Sequence, residues 1–236
     1  MEVQEIADDR NATRREEQFF LELFQRVLIL INRSRVSSDD ISDGIEKIIA
    51  HFRERGPADA CAVNNFLTLG DLLGYFYWSS PLSAGVTRNK MLVAIRNCEE
   101  FRSSLHRPLL KVVSVGGGTG SDIVGLYSAL YEEECAFQSM DITLMDNNRE
   151  WEPFHQVVET CLRQNDFGNA SRLINIKRIT SSFIYADLRN KGPAEWRLNL
   201  RLADIVWMKG VRSILRDDSE RYMITAVSTE NFSNYI

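Results

Sequence analysis

Cysteine is scarce and scattered: Cys61, Cys98, Cys135 and Cys161 stand far apart, with no C-x-x-C pair and no Cys/His ligand spacing. That argues against a disulfide-stapled scaffold and against a structural metal site, and predicts free thiols in an intracellular protein, cytoplasmic or nuclear. Long apolar runs are also missing. None approaches the roughly 20 residues that a membrane-crossing helix needs, and the densely charged residues 1–18 do not resemble a secretory leader. The expectation is therefore a chain without membrane contact. Dense Lys/Arg runs and basic stretches interleaved with aromatics, the usual footprint of a dedicated nucleic-acid binder, are absent as well.

What is present describes an ordinary globular chain. Of 236 residues, 44% are hydrophobic and 26% charged, enough for one domain of moderate size with an appendage, or for two small domains. The net charge of −5 is unevenly placed. Residues 131–170 carry nine Asp/Glu against two Lys/Arg, whereas residues 171–236 carry seven against eleven. The locally basic final quarter either faces a polyanion such as RNA or is a solvated surface.

The first hundred residues read as helices. From Arg14 to Arg33, Phe19, Leu21, Leu23, Phe24, Val27, Leu28, Leu30 and Ile31 follow helical spacing. Ser37, Ser38 and Asp39 are cap candidates for a second helix, striped by Ile41, Ile45, Ile48, Ile49 and Phe52 and broken at Gly56-Pro57. A third helix is expected from about Asp59 to Tyr77. The sequence SSPLSAG (79–85) then predicts a turn, and a fourth helix is expected from Thr87 to Leu105, ended by Pro108. The aromatic stretch Leu73–Trp78 is either a wall near a ligand or part of the core. Residues 1–108 thus form an N-terminal helical module.

After Pro108 the period changes to alternating strand and helix. Strands are predicted at 110–115, 140–145, 173–179 and 203–208, with helices at 121–133 and 151–164 and another beginning around Asp217 and Asp218. Such alternation predicts a parallel sheet with right-handed crossovers. Its centre is Lys111–Val124, KVVSVGGGTGSDIV. A β-branched run leads into Gly116, Gly117, Gly118, Thr119 and Gly120, and a helical pattern follows. Strand, glycine turn and helix in this order bring bare backbone and a helix N-terminus up to a ligand.

Three motifs in order, VVSVGGGTGSD, then ITLMDNN, then ADIVWMKGVRSIL, resemble the class I, Rossmann-like S-adenosylmethionine-dependent methyltransferases over residues 110 to about 232. The resemblance implies an α/β fold with a Rossmann-like methyltransferase sheet in residues 109–236, with S-adenosylmethionine as cofactor. It places Gly116, Gly117, Gly118, Thr119 and Gly120 beside the methionine and ribose of the cofactor. Asp146 matches the acid that accepts the two ribose hydroxyls, and Asn147 stands where the adenine is lined, with Asn148 beside it. A dinucleotide site also pairs a glycine loop with an acid, but GGGTGSD fits the methyltransferase pattern better.

The chain departs from that pattern in three places. Ser114 stands where the family carries Asp or Glu, which leaves Asp122 or a water network to help hold the loop. Trp207-Met208-Lys209-Gly210 replaces the Asn/Asp-Pro-Pro-Tyr/Phe signature, so methylation of an adenine amino group is not supported. Cys135 and Cys161 lack the Pro-Cys setting of cytosine C5 enzymes. Finally, the family continues with about three more strands, which implies a shortened chain or a cover over the fourth strand's edge, from a homo- or hetero-oligomeric partner or from the N-terminal helices.

Methyl transfer from an activated sulfonium needs alignment more than acid–base chemistry, so no catalytic residue is assigned. His106 and His155 are the histidine candidates, and Lys209 and Arg212 are candidate anion binders. The expectation is a methyltransferase acting on RNA or protein, or else an inactive methyltransferase-like scaffold.

Overall fold

The computed structural model describes residues 2–55, 68–187 and 194–208. Helices α1 (Glu2–Asn32), α2 (Ser38–Arg55), α3 (Leu69–Asn97) and α4 (Glu99–Ser104) precede β1 (Leu109–Val115). Then follow α5 (Ser121–Glu132), β2 (Ser139–Asp146), a 3₁₀ turn (Arg149–Trp151), α6 (Glu152–Gln164), α7 (Gly168–Ile176), β3 (Arg178–Tyr185), α8 (Ala194–Leu202) and β4 (Ile205–Met208). The four strands form one parallel sheet in the order β3-β2-β1-β4. This is a Rossmann-like α/β fold, with the sequence order reversing at β1.

The strands alternate as a sheet buried on two faces requires. Leu110 and Val112 of β1 join Met140, Ile142 and Leu144 of β2 in the larger core, which continues through α5, α6 and α7 into α1 and α3. Val113, Val115 and Met145 point the other way, onto Leu200 and Ala203 at the end of α8. The N-terminal helices are tied to the sheet domain by buried polar links as well as by apolar packing. The Glu16 carboxylate of α1 accepts the Ser128 hydroxyl of α5 at 2.8 Å and the Asn169 N–H at the start of α7 at 3.1 Å. Arg88 of α3, 2% exposed, pairs with Glu132 of α5.

Two predicted elements are corrected. The turn at 79–85 is instead the middle of α3, which runs unbroken through Pro81. Proline removes one helical N–H, but Ser80, Ser83, Ala84, Thr87 and Arg88 are all buried there, and that packing outweighs the local signal. The helix starts at Leu69 because Thr68 and Asp71 form a reciprocal capping box. It ends at Cys98, whose backbone is extended. Likewise, LINIKRI is not a strand. Ala170, Leu173 and Ile174 bury one face of α7, an i, i+3, i+4 pattern, and the third strand begins only at Arg178. The helix α8 was not foreseen, and the expected helix around Asp217 and Asp218 lies outside the described residues. Among the described residues, no helix is long and apolar enough to cross a membrane.

Helices α3 and α5 touch backbone to backbone. A Cβ on Gly125 would lie 2.2 Å from the Ala84 carbonyl oxygen, whereas one on Gly85, in the same stretch of α3, would meet nothing within 4 Å. Gly125→Ala is therefore expected to destabilise the fold by about 3 kcal/mol through forced separation of the helices. Gly85→Ala should stabilise it by roughly 0.5–1 kcal/mol through helix propensity. Urea denaturation midpoints of the two variants test this, and equal midpoints would contradict the packing described.

Candidate functional site

The register of β1 on β2 sets the site. Pairing Val115 with Met145 brings Gly116 and Asp146 together at the carboxyl end of the sheet, and the Gly116 N–H donates to the Met145 carbonyl at 2.8 Å. The chain then turns with positive φ at Gly116, Gly118 and Gly120, a region that side chains with a Cβ rarely enter. Two glycines are also needed for space. A Cβ on Gly117 would lie 2.5 Å from Ser114 Oγ, and one on Gly120 would lie 2.5 Å from His155 Nδ1. The underside of the loop is thus filled by the protein itself, and Gly120 N–H closes it by donating to the Gly117 carbonyl at 2.8 Å.

Asp146 fastens the loop to β2. Its Oδ2 accepts the Gly118 N–H at 2.9 Å and its Oδ1 accepts the Asn148 N–H at 2.9 Å. An ionised carboxylate offers about four lone-pair positions, so with the Asn147 N–H also directed at it the group keeps acceptor capacity for a further donor. The group is only 9% exposed. Burial pushes its pKa up to about 6, against the backbone N–H groups of Asn148, Gly118 and Asn147, which pull it down, while the charge of Asp122 pushes it further up. Asp146, Asn147 and the glycine loop therefore lie together at the carboxyl end of the sheet.

Asp122 does sit at the loop. From the first turn of α5 its carboxylate accepts the Ser114 hydroxyl, and both side chains are buried. The helix dipole also favours a negative charge in that first turn.

Neither histidine candidate faces this site as a base. His155 is buried beneath Gly120 with Nε2 3.1 Å from Ser181 Oγ, and burial holds its pKa below the usual value, keeping the ring neutral. His106 is exposed before the start of β1, at the opposite end of the strand from the loop. Cys135 and Cys161 are buried, and burial raises both thiols, Cys135 to about 11, which makes them unreactive. Lys209 and Arg212 lie outside the described residues.

Sequence reasoning missed Ser80 of α3. Thr119 Oγ1 lies 3.4 Å from Ser80 Oγ, inside what had been expected to be a turn. The Tyr75 ring stands 5.7 Å from that of Trp151, whose Cδ1 is 3.8 Å from the position a Cβ on Gly118 would take. The end of β3 joins the same edge, since Ala186 N–H donates to the Asp146 carbonyl at 2.8 Å and Arg149 lies over the Tyr185 ring at 4.7 Å. Of the stretch Leu73–Trp78, Leu73 and Phe76 are core, Tyr75 reaches the site, and Tyr77 and Trp78 are exposed. No protein-family model matches the chain, and no curated protein matches it.

Because the folded pKa of Asp146 stands above its ordinary 3.8, its ionisation opposes folding. The cost is absent below about pH 4, grows as pH rises, and is complete above about pH 6. It is on the order of 3 kcal/mol. A carbon-13 titration of the Asp146 carboxyl should give a midpoint near 6, and the stability of wild type relative to Asp146→Asn should fall across that interval. A midpoint at the ordinary value would contradict the buried setting.

Proposed function

We propose that the chain binds S-adenosylmethionine at the carboxyl ends of β1 and β2 and is a methyltransferase acting on RNA or protein. The observation that carries this reading is the Asp146 carboxylate, pinned at 2.9 Å by the Gly118 and Asn148 N–H groups, with the Asn147 N–H beside them, and held at the tip of β2 against the glycine loop. Vicinal ribose hydroxyls are donors set side by side, of the kind a carboxylate accepts. The backbone of Gly118, bare of a side chain, lies next to that acceptor, and Asn147 adjoins it. When bound, the cofactor supplies a methyl group already activated on a sulfonium. The work left to the chain is binding, alignment and exclusion of water, which fits a site without a histidine base. The buried Asp122 and Asp146 give it a negative field that suits a cationic ligand. The basic final quarter favours an acidic acceptor, RNA or a protein surface, over a neutral metabolite.

A second reading, an inactive methyltransferase-like scaffold, draws on α3. Trp78, Leu82, Val86 and Val93 are exposed along one side of that helix, as a partner-binding face would be.

Calorimetric titration separates the two. On the leading reading, S-adenosylmethionine and S-adenosylhomocysteine bind with micromolar affinity, about −8 kcal/mol, NAD does not, and Asp146→Ala abolishes the heat. Affinity should also fall about tenfold per pH unit once Asp146 is protonated, below about pH 6. A folded chain that binds neither sulfur ligand favours the scaffold.

A further inference from the structure

We infer that Tyr75, on the N-terminal helix α3, is a ligand-contacting residue, so that the helical segment forms one wall of the site. This rests on the adenosine-binding reading above. The geometry is contiguous: Gly118 faces both Asp146 Oδ2, 3.6 Å from its Cβ position, and Trp151, at 3.8 Å, and the Tyr75 ring stacks at a tilt on Trp151. Trp151 is 1% exposed and is closed off by its neighbours, whereas Tyr75 is half-buried.

The Tyr75 hydroxyl lies within the field of Asp146. Its pKa is raised by burial first, lowered by a hydrogen bond from Ser79, and raised again by the Asp146 charge. The Ser79 bond fixes the hydroxyl in place. One turn on, Ser80 meets Thr119 of the glycine loop at 3.4 Å, so α3 flanks the site from Asp146 to the loop. The chemistry of the pair is complementary to a sugar hydroxyl. Asp146 only accepts, while a phenol can both donate and accept. A ribose hydroxyl that donates to Asp146 can accept from Tyr75. The ring face adds apolar contact with the sugar or base.

The test is calorimetric titration of the full chain with S-adenosylhomocysteine, comparing wild type, Tyr75→Phe, Tyr75→Leu and Tyr77→Leu. Tyr77 serves as control because it is 49% exposed on the same helix. Tyr75→Phe keeps the ring against Trp151 and should weaken binding about tenfold through the lost hydroxyl. Tyr75→Leu should weaken it further, and Tyr77→Leu should leave it unchanged. Thermal midpoints are measured alongside, and Tyr75→Phe should melt with wild type. If wild type binds and Asp146→Ala does not, but both Tyr75 variants bind within twofold of wild type, the inference is overturned and the binding reading stands. If affinity falls only in step with the melting midpoint, and falls equally in Tyr77→Leu, the role of Tyr75 is structural and the inference is again overturned. If wild type itself does not bind, the reading fails and the inference with it.

Discussion

The carboxylate of Asp146 holds the site together. It lies at the end of β2 with one oxygen on the Gly118 N–H and the other on the Asn148 N–H, so a single side chain fixes both the glycine loop and the start of the next connection. That placement follows from strand register: β1 and β2 run parallel and in step from Leu109 and Ser139 to Val115 and Met145. A shift of one residue would turn Asp146 to the other face and leave the loop's N–H groups without their acceptor. The arrangement has a thermodynamic cost, because the charge is buried and its pKa is pushed to about 6. A fold optimised only for stability would not keep an acid in that state. Perturbed groups of this kind gather where ligands bind.

Around that carboxylate the remaining parts fall into two shells. Below the loop, Ser114 and His155 fill the space that a Cβ on Gly117 or Gly120 would need, and Asp122 accepts the Ser114 hydroxyl. Beside the loop, α3 carries Tyr75 and Ser80. Long helix α3 stays in position because it is clamped on α5, by close backbone approach at Gly125 and by Arg88 with Glu132. Helix α1 is clamped in turn through Glu16, which accepts N–H and O–H groups from α7 and α5. The N-terminal helices and the sheet thus share one apolar core.

Much of this was legible in the sequence, for reasons that differ by element. The glycine loop and Asp146 were readable because backbone conformation and acceptor chemistry restrict the residue types allowed there. The strands at 109–115 and 139–146 announced themselves as apolar β-branched runs ending in Gly and Asp. The element at 173–179 misled because Leu173 and Ile174 satisfy both a short buried strand and a helix face, and only the partner surface decides between them. Pro81 misled in the opposite sense, since a local breaker was outweighed by burial along the rest of α3. The Ser114–Asp122 pair could be guessed at but not placed, because it joins a strand to a helix turn through a side-chain hydrogen bond. Tyr75 lay within an aromatic stretch whose members divide between core and site. No periodicity separates the two.

The measurement that reaches the central claim most directly is the affinity of the chain for S-adenosylhomocysteine against its 2′-deoxyribose analogue, determined at neutral pH. If Asp146 accepts both ribose hydroxyls, removing one should weaken binding by one to two orders of magnitude, about 1.5–3 kcal/mol for a hydrogen bond to a charged acceptor, and Asp146→Asn should narrow the difference. Equal affinity for the two ligands, or a difference that persists in full in Asp146→Asn, would contradict the assignment of the carboxylate to the sugar.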